Sequence, residues 1–173
     1  MIKVQSFDLK LDTIEAIDLP ILRQWRNDPE IYKWCRQNDL INESQQDLWF
    51  HNQSMDPKIR MYLIKTILDT PVGVCGLTDI DLINQRAEFS LYIGKEHQRK
   101  GYAKEALKAL LAKGFSSMPL NLIWGETFDG NPAARLFEEI GFKKEGIRRD
   151  FYFKDGKYID AILYSIKRGE FHE

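Results

Sequence analysis

Apolar positions along the chain change period several times, and the changes mark out its elements. Leu19, Leu22 and Trp25 recur at helical spacing, with Asp18 where a cap is expected and Pro20 tolerated in the first turn. Arg26-Asn27-Asp28-Pro29 ends this helix, because the residue before proline avoids helical geometry. A short helix is predicted from 31 to about 36, carrying Trp34. A third starts at Asn42, where Asn42-x-x-Gln45 reads as a capping box ahead of Leu48, Trp49 and Phe50. Residues 2–11, with Ile2, Val4, Phe7, Leu9 and Leu11, suggest an opening strand.

The middle of the chain is rich in β formers. Residues 59–68 and 72–80 read as a hairpin around Asp69-Thr70-Pro71, and 85–93 as the next antiparallel strand. On that strand Glu88, Ser90 and Tyr92 share one face, and Phe89, Leu91 and Ile93 the other. A helix opens at Gly101-Tyr102-Ala103 and runs to about Phe115, with Ala103, Ala106, Leu107, Leu110, Leu111 and Phe115 on one side. A strand over 120–128 precedes a second main helix that stops at Gly141. Residues 142–153 and 158–166 form a last pair of strands around the turn Lys154-Asp155-Gly156-Lys157. The simplest assembly is an α/β (α+β) fold: a mixed, mostly antiparallel, strongly twisted sheet flanked by helices, with a helical N-terminal cap. Residues 1–173 are expected to form a single domain.

A length of 173 residues suits one domain with a sizeable core. With 25 basic against 26 acidic side chains, charge makes no global case for nucleic acid or an anionic membrane. Basic residues do gather around 95–104 and 143–149, which fits an anionic cofactor better than a duplex. Cys35 and Cys75 lack metal-ligand spacing and read as reduced packing residues, and His51, His97 and His172 show no zinc-type pattern, so no metal is expected. No apolar run is long enough to span a bilayer and no signal peptide opens the chain, so the expected compartment is cytoplasmic.

The strand, loop and helix over 85–115 carry the chemistry. Gly101 and Ala103 leave backbone amides accessible. The first amides of a helix lack internal partners and sit at the positive end of its dipole. With Arg99, Lys100 and Lys104 alongside, the helix start is a candidate pyrophosphate site. Glycine at a helix start would by itself describe an ordinary turn with a basic face. The spacing fits neither a Walker loop nor a three-glycine dinucleotide fingerprint. Instead, Gln98-x-x-Gly101-x-Ala103 after an amphipathic strand resembles the acetyl-CoA signature of the GNAT superfamily of N-acetyltransferases. Downstream, the stretch from Asn131-Pro132-Ala133 to Ile140-Gly141-Phe142 is similar to the helix and Gly-Phe corner that close the CoA site in that superfamily.

The resemblance runs from about Ile17 to Ile166. It implies the GNAT fold, whose splayed neighbouring strands leave a V-shaped cleft for the pantetheine arm, and acetyl-CoA as co-substrate. Carried over residue by residue, it implies cofactor contacts from Leu91, Tyr92, Ile93, Gln98, Arg99, Lys100, Gly101, Tyr102, Ala103, Lys104 and Asn131. Asn131 can cap its helix at the same time.

Acetyl transfer needs a neutral amine, although a free alkylamine has a pKa of about 10. It also needs donors for the carbonyl oxygen and an exit for the thiolate. Glu88 is the expected base, often acting through water in the family; the alternatives are a solvated strand carboxylate or a pair with Arg86. A backbone N–H near Leu91 or Tyr92 would polarise the carbonyl, since the resemblance implies a bulge in this strand. The sequence departs from the family at the acid: the usual tyrosine position, counted back from Gly141-Phe142, is Phe137, and a phenyl ring donates no proton. Tyr92, Tyr152 and Tyr158 are substitutes, and Tyr92 joins Glu88 as the expected catalytic pair. A thiolate of pKa about 8.5 can also leave without a strong acid.

The C-terminal stretches Glu145-Gly146-Ile147-Arg148-Arg149 and Leu163-Tyr164-Ser165-Ile166 look like the Rim-type branch, which includes ribosomal-protein N-terminal and spermidine acetyltransferases. Leu22 to Asn27 and Gln46-x-x-Trp49-Phe50 also resemble enzymes acting on amino-sugar nucleotides. Arg23, Trp25, Arg26, Trp34 and Trp49 are the candidate substrate-binding residues; equally, the tryptophans could pack the cap and the arginines face solvent. A peptide N-terminus or polyamine would call for acids, with Asp28, Glu30, Asp39, Glu43 and Asp47 as candidates. The expectation is a small amine-bearing metabolite such as an amino-sugar nucleotide. The alternatives are a protein N-terminal or polyamine acetyltransferase, or a catalytically weak CoA-binding module. An exposed last strand could support a homodimer.

Overall fold

The computed structural model describes residues 9–172. In chain order it contains β1 (Leu9–Asp12), α1 (Leu19–Asn27), α2 (Pro29–Tyr32), α3 (Glu43–Met55), β2 (Arg60–Thr66), β3 (Pro71–Asp81), β4 (Arg86–Ile93), α4 (Tyr102–Ser117), β5 (Leu122–Phe128), α5 (Ala133–Ile140), β6 (Lys143–Lys154) and β7 (Lys157–Lys167). The opening strand is seen at Leu9–Asp12; Ile2, Val4 and Phe7 lie outside the described residues.

Local signals explain several boundaries. The Asn42 Oδ1 accepts from Gln45 N and the Gln45 Oε1 from Asn42 N, both at 2.9 Å, completing the capping box that starts α3. Asp155 and Gly156, both at positive φ, make the two-residue turn between β6 and β7. Two expectations need correction. Asp18 makes no side-chain cap on α1; its carboxylate accepts from Glu15 N, because the chain enters through a short 3-10 turn. The helix expected over 31–36 is instead Pro29–Tyr32, capped by Asp28, whose Oδ1 accepts from Glu30 N at 2.8 Å. It ends early because the segment after it is held by partners elsewhere in the chain.

The strands form one sheet in the order β1-β2-β3-β4-β5-β7-β6. Every neighbouring pair is antiparallel except β4 and β5, which α4 connects. The last strand, β7, therefore lies inside the sheet, and β6 forms the edge at that end. That edge is bulged between Arg148 and Tyr152, with Asp150 at φ 50°. A bulge of this kind bends the edge away from pairing.

Each face of the sheet carries a core. On one, Leu107, Leu110, Leu111 and Phe115 of α4 and Phe137 and Ile140 of α5 pack on Leu77, Phe89, Ile93 and Ile123. On the other, Leu19, Leu22 and Trp25 of α1 pack with Ile31 on Leu63 and Val74. The alternation on β4 follows: Ala87, Phe89 and Ile93 belong to the first core, while Tyr92 packs against the second. Cys75 is buried in β3, where desolvation pushes its thiol up to about 12, and Cys35 is also free.

Candidate active site

Beta strands β4 and β5 pair over only Arg86–Leu122, Ala87–Ile123 and Glu88–Trp124. Beyond Glu88 they part. Gly125 stands just past the last pair, and a side chain there would run into the Phe89 ring. The Phe89 ring fills this space and packs edge-to-face with Phe137 and tilted against Phe142, each 5.1 Å away between centroids. The result is a cleft inside the sheet.

One edge of that cleft is the backbone of β4. Gly94 N donates to Val72 O at 2.9 Å, and the register is continuous from Gly73–Ile93 to Thr78–Glu88. Antiparallel alternation therefore aims the amides of Ser90 and Tyr92 at β3, and that of Leu91 into the cleft, where β5 has departed. This corrects the expectation of a bulge at Leu91 and Tyr92. The irregularity lies on β3, between Thr78 and Asp81, with Asp79 at φ 48°. The splay alone opens the Leu91 amide.

Glu88 stands at the apex, 6% exposed. It is neither solvated nor paired with Arg86, which faces Asp81 at 3.6 Å. Its partner is Arg36, whose Nη2 donates to Glu88 Oε1 and lies 3.2 Å from Glu126 Oε1. Glu126 sits on β5 and also accepts from Arg148 Nη1 at 2.9 Å and from the Tyr152 hydroxyl. Burial and this bond to a carboxylate push the Tyr152 phenol up to about 12. Arg36, Glu126 and Arg148 were not singled out from the sequence. A signal for Glu126 existed: it has the parity of Trp124, the partner of Glu88, so both carboxylates fall on one face of two parallel neighbours.

At the end of β4 the loop into α4 has the expected form. Arg99 (φ 60°) and Gly101 (φ 86°) are left-handed, which turns the chain sharply ahead of α4 and leaves the helix's first amides without a side-chain cap. The Gln98 Nε2 donates to Ile93 O at 3.0 Å, tying the loop to β4. Lys100 Nζ donates to Glu96 O, and Lys104 pairs with Glu139 of α5 at 3.3 Å. Arg99 is exposed, Ala103 is half-buried, and the Tyr102 ring lies 6.5 Å from His97. Asn131 accepts from Ala133 N at 3.0 Å and donates to Thr127 Oγ1 at 2.8 Å, so it caps α5 and ties it to β5.

The substrate candidates divide. Arg26, Trp49, Ser90 and Tyr92 line one cavity of about 400 Å3, together with Asp39, Gln37 and Gln46. Arg26 lies over the Tyr92 ring at 5.5 Å and donates to Gln37 Oε1. Burial pushes the Tyr92 phenol up, so it stays a hydrogen-bond donor. Trp25 is not on this wall. It is 2% exposed, because α1 turns it into the core against Tyr92 and His97, and its Nε1 donates to Glu96. Arg23 faces Glu43 at 3.8 Å, and Trp34 lines a separate cavity of about 600 Å3 beside Lys33 and Tyr158. Phe137 is buried among Phe89, Phe142 and Tyr164 and offers no proton. Tyr158 is 69% exposed and stacks on Phe153. Among the described residues no group of three His, Cys, Asp or Glu could hold a metal, and no helix is long and apolar enough to cross a membrane.

Residues 8–143 match the acetyltransferase (GNAT) domain family. An uncharacterized N-acetyltransferase of Bacillus licheniformis is 32% identical over 172 residues, 94% of each chain. Spermidine N(1)-acetyltransferase of Vibrio cholerae is 27% identical over 154 residues, 88% of this chain and 89% of that one. The crystal structure of the Vibrio cholerae spermidine N-acetyltransferase in complex with CoA and spermine superposes with a TM-score of 0.89 at 26% identity, covering 94% of this chain and 96% of the other.

Proposed function

The chain belongs to the acetyltransferase (GNAT) domain family and is an acetyl-CoA-dependent N-acetyltransferase, and on that premise we propose that it acetylates the primary amine of a small metabolite by direct attack on the thioester. The observation that carries this reading is the cleft between β4 and β5, with Glu88 at its apex and the Leu91 amide on its edge. Acetyl-CoA's pyrophosphate is taken by the amides at the start of α4, with Arg99, Lys100 and Lys104 around it. The pantetheine arm runs along β4 past Leu91, Tyr92 and Ile93, and Asn131 borders it from the turn ahead of α5.

Glu88 removes a proton from the incoming ammonium, because only the neutral amine can attack. The Leu91 N–H polarises the acetyl carbonyl as charge develops on its oxygen. The thiolate leaves with a pKa of about 8.5 and takes the proton that the nitrogen sheds. Of the tyrosines that could assist, Tyr152 is committed to Glu126 and Tyr158 is outside the cleft, which leaves Tyr92.

The acceptor enters by the cavity of Arg26, Trp49 and Tyr92. Its lining carries one cation, Arg26, and one acid, Asp39, among neutral polar and aromatic side chains. Such a wall suits an amine on a polar or anionic body, of which an amino-sugar nucleotide is an example, better than a polycation. A polyamine acceptor is the second reading, supported by the spermidine acetyltransferases that match along almost the whole chain. The test is CoA release from acetyl-CoA with amino-sugar nucleotides, polyamines and peptides bearing free N-termini. Turnover confined to the first group supports the main reading; turnover of spermidine alone replaces it with the second. Acetyl-CoA binding without turnover on any of them would count against a small-amine acceptor.

A further inference from the structure

The segment after α2 is held by polar grips on its backbone. Lys154, 4% exposed at the end of β6, donates from Nζ to Cys35 O at 2.9 Å and to Gln37 O at 2.6 Å. The same ammonium lies 3.6 Å from the centre of the Tyr32 ring, and the Tyr32 hydroxyl donates to Asn38 O at 2.6 Å. A buried ammonium whose partners are two carbonyls and a ring is held against its preference for water, and desolvation lowers its pKa. The two carbonyls it grips are those on either side of Arg36. Fixing both neighbours fixes the base of the Arg36 side chain, which then reaches across the cleft to Glu88 and Glu126.

The two carboxylates are not equivalent. Glu126 has donors in Arg36, Arg148 and Tyr152, whereas Arg36 is the side chain that neutralises Glu88. Burial works against the charge of Arg36, and the two carboxylates outweigh it, so its pKa is raised. If a different cation took over Glu88, Arg36 would keep Glu126, and Glu126 would keep all its donors.

We infer that Arg36 is a specificity-determining residue: it occupies Glu88 in the unliganded enzyme, the acceptor's ammonium displaces it there, and Lys154 is the positioning residue that sets its reach. This rests on the reading of Glu88 as the base. The ammonium replaces the guanidinium at Glu88 and passes one proton to that carboxylate. The freed nitrogen lone pair forms the N–C bond to the acetyl carbon, the C–S bond breaks with its electron pair going to sulfur, and the second nitrogen proton goes to the thiolate. Glu88 returns its proton to solvent. A neutral alcohol cannot evict a guanidinium from a carboxylate, so the contact selects nitrogen nucleophiles that arrive charged.

Ethylamine, used as a minimal probe, tests this on the full chain. In Arg36→Met the competitor is gone and the aliphatic length is kept, so kcat/KM for ethylamine rises roughly tenfold while acetyl-CoA affinity holds. Arg36→Lys still competes and gives a smaller rise. Lys154→Met loosens Arg36 and also raises kcat/KM, and Lys154→Arg, which can still donate to both carbonyls, returns it towards the parent value. A merely structural role for either residue would lower kcat/KM instead. In parallel, adding ethylammonium chloride moves the Arg36 Nε–H NMR signal in the parent protein and not in Glu88→Gln, and ethanol moves it in neither. An unchanged or reduced kcat/KM in folded Arg36→Met, or an Arg36 signal that ethylammonium leaves in place, overturns the inference. A parent-like rate in Glu88→Gln would instead remove the base assignment, so the two failures are distinguishable.

Discussion

The indole N–H of Trp25 donates to the Glu96 carboxylate at 2.8 Å, joining α1 to the loop that follows β4, 71 residues further along. The indole also lies so close to Gly94 that any side chain there would collide with it. Trp25 thus braces the loop between β4 and α4, the proposed cofactor loop, from behind. In Trp25→Phe the hydrogen bond and part of the packing are lost, which should cost about 2 kcal/mol. For a chain of this size the melting temperature should fall by roughly 4–8 °C. The KM for the amine should stay within about twofold, since the residue is buried away from the acceptor cavity. A large rise in that KM at an unchanged melting temperature would return Trp25 to the acceptor wall.

Gly101 opens α4 at φ 86°, where the phosphates are expected. Gly101→Ala adds backbone strain of about 1 kcal/mol and no charge. Gly101→Glu adds the same strain and an anion at the site of another. Calorimetric titration with acetyl-CoA should show at least about a tenfold loss for the glutamate variant beyond the alanine one, a difference of about 1.4 kcal/mol. Equal affinities in the two variants would refute the loop as the pyrophosphate site.

Replacing Glu88 by Gln keeps the shape and removes the proton acceptor. Turnover should fall by roughly 100-fold or more, with acetyl-CoA affinity unchanged. The deficit should narrow as pH approaches the amine's own pKa of about 10, because the acceptor then arrives neutral. Rates measured from pH 7 to 10 decide it; a deficit that is constant across the series would mean that Glu88 does something other than take the proton.

Acid should weaken the fold in part through its surface pairs. Lys65 lowers the pKa of Asp12 below its ordinary 3.8, Lys10 lowers that of Asp69 likewise, and Lys143 lowers that of Glu170 below 4.5. A carboxylate held lower in the fold than in the unfolded chain contributes stability above its unfolded pKa and loses it as pH falls through the folded one. Melting temperature should therefore be nearly flat from pH 7 to about 5 as far as these groups are concerned, and decline below about 4. A decline complete above pH 5 would exclude them as its cause.

What the sequence showed well was local. The Asn42 and Gln45 box, the Asp155-Gly156 turn and the face alternation on β4 each depend on residues a few positions apart, and each is found. The turn at Gly101 that opens α4 was legible for the same reason. What it hid were contacts closed by the fold. Arg36 meets Glu88 across 52 positions, and Lys154 grips Cys35 O across 119. Their spacing has no period to detect. The tryptophans were ambiguous because an aromatic ring suits a core and a pocket equally; only the turn of α1 decides that Trp25 goes inward while Trp49 lines the cavity.

The parting of β4 from β5 leaves its mark on time as well as space. Along one strand, the Ser90 and Tyr92 amides are locked to β3, while the Leu91 amide between them faces an open gap. Solvent deuterium should therefore enter β4 in a one-in-two rhythm, fast at Leu91 and slow on either side. Occupation of the gap would abolish the rhythm, so a single backbone amide can serve as the clock for how long the cofactor stays.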